Sequence, residues 1–406
     1  MHAVEDPTGE CDVAVVGAGI VGLAVARELS HRHPSLVLRV IEKEREVGMH
    51  QTSHNSGVVH AGIYYAPGSL KARLCVEGAR DLYELCERED IPHERCGKLI
   101  VATDPSELPA LDELERRGKA NGVPGLRRID RDGIAELEPH ASGVAALHSP
   151  ATGIVDFGEV ARALARELAR RGAIVSTGCA VTGIRPSARA IVLRTSCGEV
   201  RTRHAIFCAG LPSDRLAVAS GGPAEPRIVP FRGAYLRLRP ERRPLVRALV
   251  YPVPDTRLPF LGVHLGRHPG GDVLIGPTAM IAPARLFSTL GFPGTWRLAR
   301  RHWRAGLTEI RHAMSRRVLV AAASRYVPAL EAGDVLDGPA GVRAQALARD
   351  GTLLDDFAFS ATDRALHVRN APSPAATSSL AIARLVADRA EQAFELTATG
   401  RAGRSA

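Results

Sequence analysis

The chain has 406 residues, more than one hydrophobic core usually holds, so two domains are expected. Its 45% hydrophobic and 24% charged residues exclude a disordered chain, and no apolar run approaches the roughly 20 residues of a membrane-spanning helix. The net charge of +9 comes from 49 arginines and only 4 lysines spread without a block of like charge, which argues for a solvated basic surface and no nucleic acid.

In chain order, Met1–Cys11 holds Glu5, Asp6 and Glu10 and no basic-then-apolar leader, so a cytoplasmic protein is expected. The positive charge leaves room for a peripheral contact at the inner face of the cell membrane. Asp12–Val16 reads as a buried strand, GAGIVG (Gly17 to Gly22) as a turn opening a helix through about Leu29, and Val37–Ile41 as the next strand, ending at Glu42. Residues 49–67 form a loop rich in Gly, Ser, His and Asn. Residues 68–89 form an amphipathic helix and Lys98–Ala102 a strand. Asp156, with Glu159 three residues on and Gly172 as the stop, predicts a capped helix. Strands follow near Ile174, Val181, Ile191, Val200 and Ala205, and residues 226–275 are β-rich. Residues 285–330 are helical. Short runs at 341–345, 352–355 and 366–368 precede a last helix from about Pro374 to Phe394, with Ser373 as its cap. The seven cysteines form no C-x-x-C pair and are expected as reduced, buried thiols, with no disulfide and no metal site.

Helices between strands at both ends, with a β-rich middle, point to an α/β (α+β) fold: a segmented Rossmann-like nucleotide-binding domain with an inserted β-rich substrate domain. The first comprises residues 1–91, 150–221 and 337–406. The second comprises residues 92–149 and 222–336.

Gly17, Gly19 and Gly22 follow a strand and open a helix, and Glu42 lies 20 residues beyond Gly22, the spacing of a ribose-binding acid. The helix N-terminus offers free N–H groups to a pyrophosphate. The motif sits at the N-terminus of a long segmented chain, and no second G-x-G-x-x-G supplies a nicotinamide site. Both features favour FAD reduced directly by the enzyme's own substrate. The loop from His50 to Tyr65 has glycines (Gly57, Gly62) and polar groups (Asn55, Ser56) suited to wrapping a flavin, against the alternative of a metal site at His50 and His54. The dipole of the last helix would stabilise charge near flavin N1, and Arg343 in GVRAQ is a candidate carboxylate clamp.

At HQTSHNSGVVHAGIYYAPGSLKARLC, CGKLIVAT, PFRG, YPVPDTRLPFLGVHL, PAGVRAQA with LLDDF, and HVRNAPSPAATSS, the chain resembles the FAD-dependent oxidoreductases of the D-amino-acid oxidase and glycerol-3-phosphate dehydrogenase superfamily, and within it those acting on L-2-hydroxyglutarate. The resemblance spans nearly the whole chain. It implies that Gly17, Ala18, Gly19, Ile20, Val21 and Gly22 hold the pyrophosphate of FAD, and that Glu42 and Lys43 hold the adenosine ribose. Val181 meets the adenine, and Ala209 and Gly210 close over the nucleotide. Thr52, Ser53, Asn55, Ser56, Gly57 and Val58 line the flavin, with Gly341, Ser373, Pro374, Ala375, Ala376 and Thr377 at its far end. His60, Lys71, Tyr251, His264, Arg343 and Asn370 form the substrate pocket. Departures are Ala234, where the family pattern is acidic after PFRG, a shortened loop between Phe359 and His367, and a loose match over 285–330.

The implied reaction oxidises a small dicarboxylate hydroxy acid, L-2-hydroxyglutarate, to 2-oxoglutarate by hydride transfer to flavin N5. His60 or His264 serves as base, and a quinone or oxygen is the electron acceptor. The alternatives are an amine or amino-acid oxidase of the same fold and a non-catalytic flavin-binding protein.

Overall fold

A computed structural model describes residues 9–254, 261–282 and 286–396. The expectation for residues 1–8, and residues 255–260 of the YPVPDTRLPFLGVHL motif, fall outside them. Val13, Ala14 and Val15 are fully buried, as in a parallel strand covered on both faces. Their strand, Gly9–Val16, lies between Gly198–Phe207 and Leu38–Ile41, parallel to both. The sheet runs from Val181–Pro186 through Ile191–Thr195, Gly198–Phe207, Gly9–Val16 and Leu38–Ile41 to Ile174–Ser176. Gly198–Phe207 is long enough to carry an antiparallel hairpin along its first half and the parallel strand Ala365–Asn370 along its second. Helix Ile20–Arg32 packs against Phe157–Arg170 and the last helix, Ser379–Phe394, which in turn meets Leu70–Arg88. Parallel strands with helices between them give the Rossmann-like sheet expected from the sequence.

A second sheet has the order Met280–Ile281, Arg227–Leu238, Val273–Gly276, His264–Arg267, Leu249–Pro252, Lys98–Ala102, Ala145–Ser149 and Arg127–Asp130, with Val335–Leu347 along Arg227–Leu238. The chain returns to the first sheet at Ala358–Ala361. Between the two, Val58–Val59 pairs with Gly153–Val155, which also takes His93–Glu94, so the glycine-rich loop is tied at its end to a strand.

Several local expectations change. The last helix begins at Ser379, not near Pro374. Residues 373–378 form turns, with Ser378 N–H on Pro374 O, and Ser373 caps nothing. The cause is packing: the Ser378 backbone passes Gly78, where a Cβ would come within 2.6 Å of Ser378 Cα. The preceding turn thereby points Thr377 inward, where its hydroxyl donates to Val58 O and accepts from His60 N–H. Residues 352–355 form no strand; Leu353 makes one isolated bridge to Leu347. Val200 and Ala205 belong to one strand, not two. Asp156 caps its helix through Gly158 and Glu159 N–H, but Glu159 turns to Arg162 instead of completing a capping box. Cys179 and Cys197 are disulfide-bonded, at a Cα separation of 5.4 Å, because the antiparallel strands Val181–Pro186 and Ile191–Thr195 bring their ends together; this corrects the all-thiol reading, and five cysteines remain free.

Candidate active site

A cavity of about 1260 Å³ runs from the carboxyl ends of the first sheet to one face of the second. Most small-ligand sites hold roughly 300–1,000 Å³, so this one has room for a dinucleotide and a substrate together.

Its first end is the glycine turn. Gly17 has φ +104°, and a Cβ there would sit 2.6 Å from Cys208 O. A Cβ on Gly22 would overlap the carbonyl oxygen of Gly17, so only glycine lets helix Ile20–Arg32 start this close to the strand. Gly19 caps that helix with no side-chain acceptor, and Ile20 N–H donates to Thr52 Oγ1 at 3.0 Å. The Val21 and Gly22 N–H groups of the first turn are left available to an anion. Glu42 accepts from Ala18 N–H (2.7 Å) and Glu44 N–H (2.9 Å), one bond per oxygen, which leaves half its acceptor capacity for hydroxyls. Lys43 and His50 both contact Glu44 at the rim, and His54 Nδ1 bonds to His50 O. Val181, Ala209 and Gly210 line the same end.

The middle is walled by Thr52, Asn55, Ser56 and Val58 from the loop, and by Gly341 and residues 373–377 opposite. Asn55 spends its amide on Gln51 O and Thr52 O and accepts from Gly57 N–H, so it shapes the loop. Gly341 passes His54 so closely that a Cβ would overlap His54 O. Among the sequence-derived cofactor residues, Ala18, Gly22, Ser53 and Gly57 do not line the cavity. Ala18 and Gly22 set its shape from behind, and Ser53 is exposed.

All six expected pocket residues meet at the far end. His60 follows the Val58–Val59 strand; its ring has no hydrogen-bond partner among the described residues, and its backbone is held by Thr377 and by the Cys75 thiol. Burial first, then the charges of Lys98, Lys71 and Arg343, push its pKa well below the usual histidine value. His264 is opposite, stacked on Tyr251 with ring centroids 4.0 Å apart. Its Nδ1–H donates to Gly262 O, leaving Nε2 as acceptor, and burial pushes its pKa down to about 3. Arg343, cross-strand from Phe231, lies near enough to Tyr235 for its charge to oppose the rise that burial imposes on that phenol, and has no carboxylate partner among the described residues. Lys71 is held by the carbonyl and carboxylate of the exposed Asp355. The Asn370 side chain is fully engaged with Leu354 O, Asp356 O and Ala346 N–H, and so anchors the 354–356 loop.

The sequence reading missed three groups here. Tyr64 lines the cavity with a buried hydroxyl that has no partner among the described residues. Gln51 accepts from Ala344 N–H and joins the loop to the Arg343 strand. Lys98 lies behind Tyr251, 4.0 Å from its ring centroid, and is 1% exposed. A lysine opening the otherwise apolar strand KLIVA was the available signal for it.

A family model described as "FAD dependent oxidoreductase" matches residues 12–389. The chain belongs to that family. It is therefore a flavoprotein oxidoreductase, and the cradle just described is the kind of site FAD needs: free helix N–H groups for the pyrophosphate, a strand-end carboxylate, and backbone stripped of side chains at Gly17, Gly19 and Gly341. The protein named "L-2-hydroxyglutarate dehydrogenase, mitochondrial" of Nematostella vectensis is 47% identical, over 97% of this chain and 93% of that one. The one of that name from Homo sapiens is 45% identical, over 96% and 90%. Among solved structures, the dithionite-reduced, FAD-bound L-alpha-glycerophosphate oxidase of Mycoplasma pneumoniae superposes with a TM-score of 0.79 at 22% identity, covering 98% of this chain and 97% of that one. That likeness concerns the fold.

Gly22→Ala should strip the protein of FAD. The new methyl overlaps Gly17 O, and overpacking of that kind costs about 1–3 kcal/mol or more, so FAD affinity falls about tenfold or more. Flavin-to-protein absorbance ratios and the loss of FAD-dependent thermal stabilisation measure it.

Proposed function

We propose that this enzyme oxidises L-2-hydroxyglutarate to 2-oxoglutarate. The observation that carries the reading is Arg343, a guanidinium without a carboxylate of its own, facing two neutral histidines at the end of the cavity beyond Thr377. A hydroxy diacid supplies what each lacks: an anion for Arg343, and a hydroxyl proton for a histidine. The names of the relatives agree. An amino-acid substrate would bring an ammonium against Arg343, Lys71 and Lys98, and the carboxylates that line that end, Asp355 and Glu113, are already held by Lys71 and by Arg116 and Arg117.

The expected residue roles stand as part of the same proposal. Gly17 and Gly19 with Ile20 and Val21 hold the pyrophosphate while Ala18 and Gly22 shape the turn behind it, Glu42 and Lys43 take the ribose, and Thr52, Asn55, Ser56 and Val58 with Gly341 and residues 373–377 take the flavin, with Ser53 and Gly57 shaping the loop. Two domains, one on each large sheet, carry the two ligands. FAD when bound supplies the two-electron acceptor for the substrate's Cα hydrogen. His60 takes the hydroxyl proton: it lies on the cofactor side, beside Thr377, with a free ring, whereas His264 is stacked flat with one nitrogen tied. Arg343 fixes a carboxylate through two N–H donors, and the Tyr64 hydroxyl offers a further donor.

The electron acceptor we propose is a membrane quinone. Trp303, Leu307, Ile310 and Met314 recur at helical spacing, are all exposed, and their helix buries nothing. Trp296 and Val318 extend this surface, and Arg300, Arg304, Arg311 and Arg317 surround it, as suits a peripheral contact with anionic lipid. Arg301 and His302, between these helices, reach the cavity mouth. No helix among the described residues is long and apolar enough to cross a membrane.

The test is anaerobic: L-2-hydroxyglutarate should bleach the yellow protein within one turnover, and vesicles of anionic lipid carrying quinone should restore the colour faster than dissolved oxygen does. A flavin untouched by the diacid but bleached by an amino acid would replace the substrate reading, and faster recovery with oxygen would replace the acceptor.

A further inference from the structure

Lys98 begins the strand Lys98–Ala102, and the strand register puts it on the same sheet face as Ile100, Tyr251 and His264. It is 1% exposed, yet its ammonium has no hydrogen bond and no ion pair among the described residues. Its Nζ sits 4.0 Å from the Tyr251 ring centroid and 5.4 Å from that of Tyr64. Every titratable group turned toward it is neutral or positive at pH 7. Tyr64 and His60 come from the glycine-rich loop, and burial raises the first and lowers the second. Cys75, on helix Leu70–Arg88, is pushed up to about 12 and the adjacent Cys96 to about 11. Burial raises Tyr251 on the neighbouring strand, and holds His264 on the one beyond it neutral. Lys71 and Arg343 add positive charge across the pocket. Cation–π attraction of roughly 2 kcal/mol does not match the cost of burying an unpaired ammonium, so the fold alone gives no reason for a lysine here. Methionine would fill the space at lower cost.

We propose that Lys98 is a positioning residue that selects dianions: with no counter-ion of its own, it is balanced by the second carboxylate of the substrate across the Tyr64–Tyr251 layer, so binding a diacid brings a proton onto it. Arg343 holds one carboxylate, and Lys98 gives the pocket its preference for two. The inference rests on the substrate reading above. Burial lowers the Lys98 pKa to about 7, so near neutral pH a substantial fraction is uncharged before the ligand arrives. The proton comes from the solvent and returns to it when the product leaves.

Glutarate, a diacid with nothing to oxidise, and butyrate, its monoacid counterpart, separate the roles. Titration calorimetry of the FAD-loaded protein at pH 7.5, in two buffers of different ionisation enthalpy, should show uptake of roughly half a proton per glutarate and almost none with butyrate. Lys98→Met should abolish the uptake and weaken glutarate up to about tenfold, the equivalent of a one-unit pKa change, while butyrate affinity and the flavin spectrum stay as in the wild type. Lys98→Arg, permanently charged, should keep the preference for glutarate without uptake. Uptake that persists in Lys98→Met, or equal losses for both ligands, overturns the proposal. Wild-type protein that binds glutarate no better than butyrate overturns the diacid reading and this inference with it, whereas normal glutarate selectivity in Lys98→Met overturns this inference alone.

Discussion

His60→Gln lowers the rate constant of anaerobic flavin reduction by L-2-hydroxyglutarate about 10²- to 10⁴-fold, the usual contribution of a positioned general base. The change is confined to the proton-transfer step, because the features that hold the loop are main-chain ones. His60 N–H donates to Thr377 and His60 O accepts from Cys75, and glutamine keeps both. FAD content and affinity for 2-oxoglutarate therefore stay close to the wild type. His264→Gln produces the smaller loss: Nδ1 is already committed to Gly262 O, and the ring chiefly stacks on Tyr251. The pH profile checks the same assignment. Burial and neighbouring cations depress the His60 pKa, and the active form is the neutral one, so the acid limb of kcat/KM lies below about pH 6.5, the ordinary histidine value, while a decline of up to about tenfold above pH 7 reflects the proton that Lys98 takes up with the diacid. A bound dianion offsets the charges of Lys98, Lys71 and Arg343, so the acid limb of kcat lies at higher pH than that of kcat/KM. Rapid-mixing absorbance at the flavin band measures the rates. Equal rates in His60→Gln and wild type, or an acid limb of kcat/KM centred above pH 7, would remove His60 from the mechanism.

The nucleotide end was legible because its chemistry is local. A strand, three glycines, a helix and an acid 20 residues on occupy one continuous stretch, and each glycine answers a backbone constraint that any side chain would violate. The substrate end was legible only as a set of candidates. Arg343 and Tyr235 meet because Val335–Leu347 and Arg227–Leu238 pair with an irregular register between Ala234 and Leu236, and no pattern within either strand announces that. Asn370 looked like a pocket ligand, yet its three hydrogen bonds all go to backbone groups. Lys98 was hidden by its setting in an apolar strand. The last helix was placed five residues early because Ser373-Pro374 carries the usual signature of a helix start, while its true start is set by the close pass of Ser378 against Gly78, on a helix about 300 residues away in the chain. The Cys179–Cys197 bond likewise depends on a strand pairing that cysteine spacing does not reveal.

Arg343→Met weakens 2-oxoglutarate and L-2-hydroxyglutarate by about 10- to 150-fold, the loss of a charge-assisted pair of about 1.5–3 kcal/mol. The strand itself should hold, since the backbone register of Val335–Leu347 with Arg227–Leu238 does not depend on the side chain. The loss falls on binding because the carboxylate is charged alike in substrate and product: the interaction is made in the ground state as fully as at the moment of transfer, so KM rises while kcat at saturation changes far less. Arg343→Lys recovers only part of the affinity. An ammonium carries the charge but not the planar pair of donors that grips a carboxylate through two bonds. Higher salt weakens binding in Arg343→Met less than in the wild type, because the ion pair open to screening is gone, whereas Arg343→Lys, which keeps the charge, keeps the salt dependence. Flavin absorbance changes on titration with 2-oxoglutarate give the dissociation constants directly. If Arg343→Met binds as tightly as the wild type while Lys71→Met does not, the carboxylate sits against helix Leu70–Arg88 instead. Asp355 would then be the group that must move away, because its carboxylate now occupies Lys71.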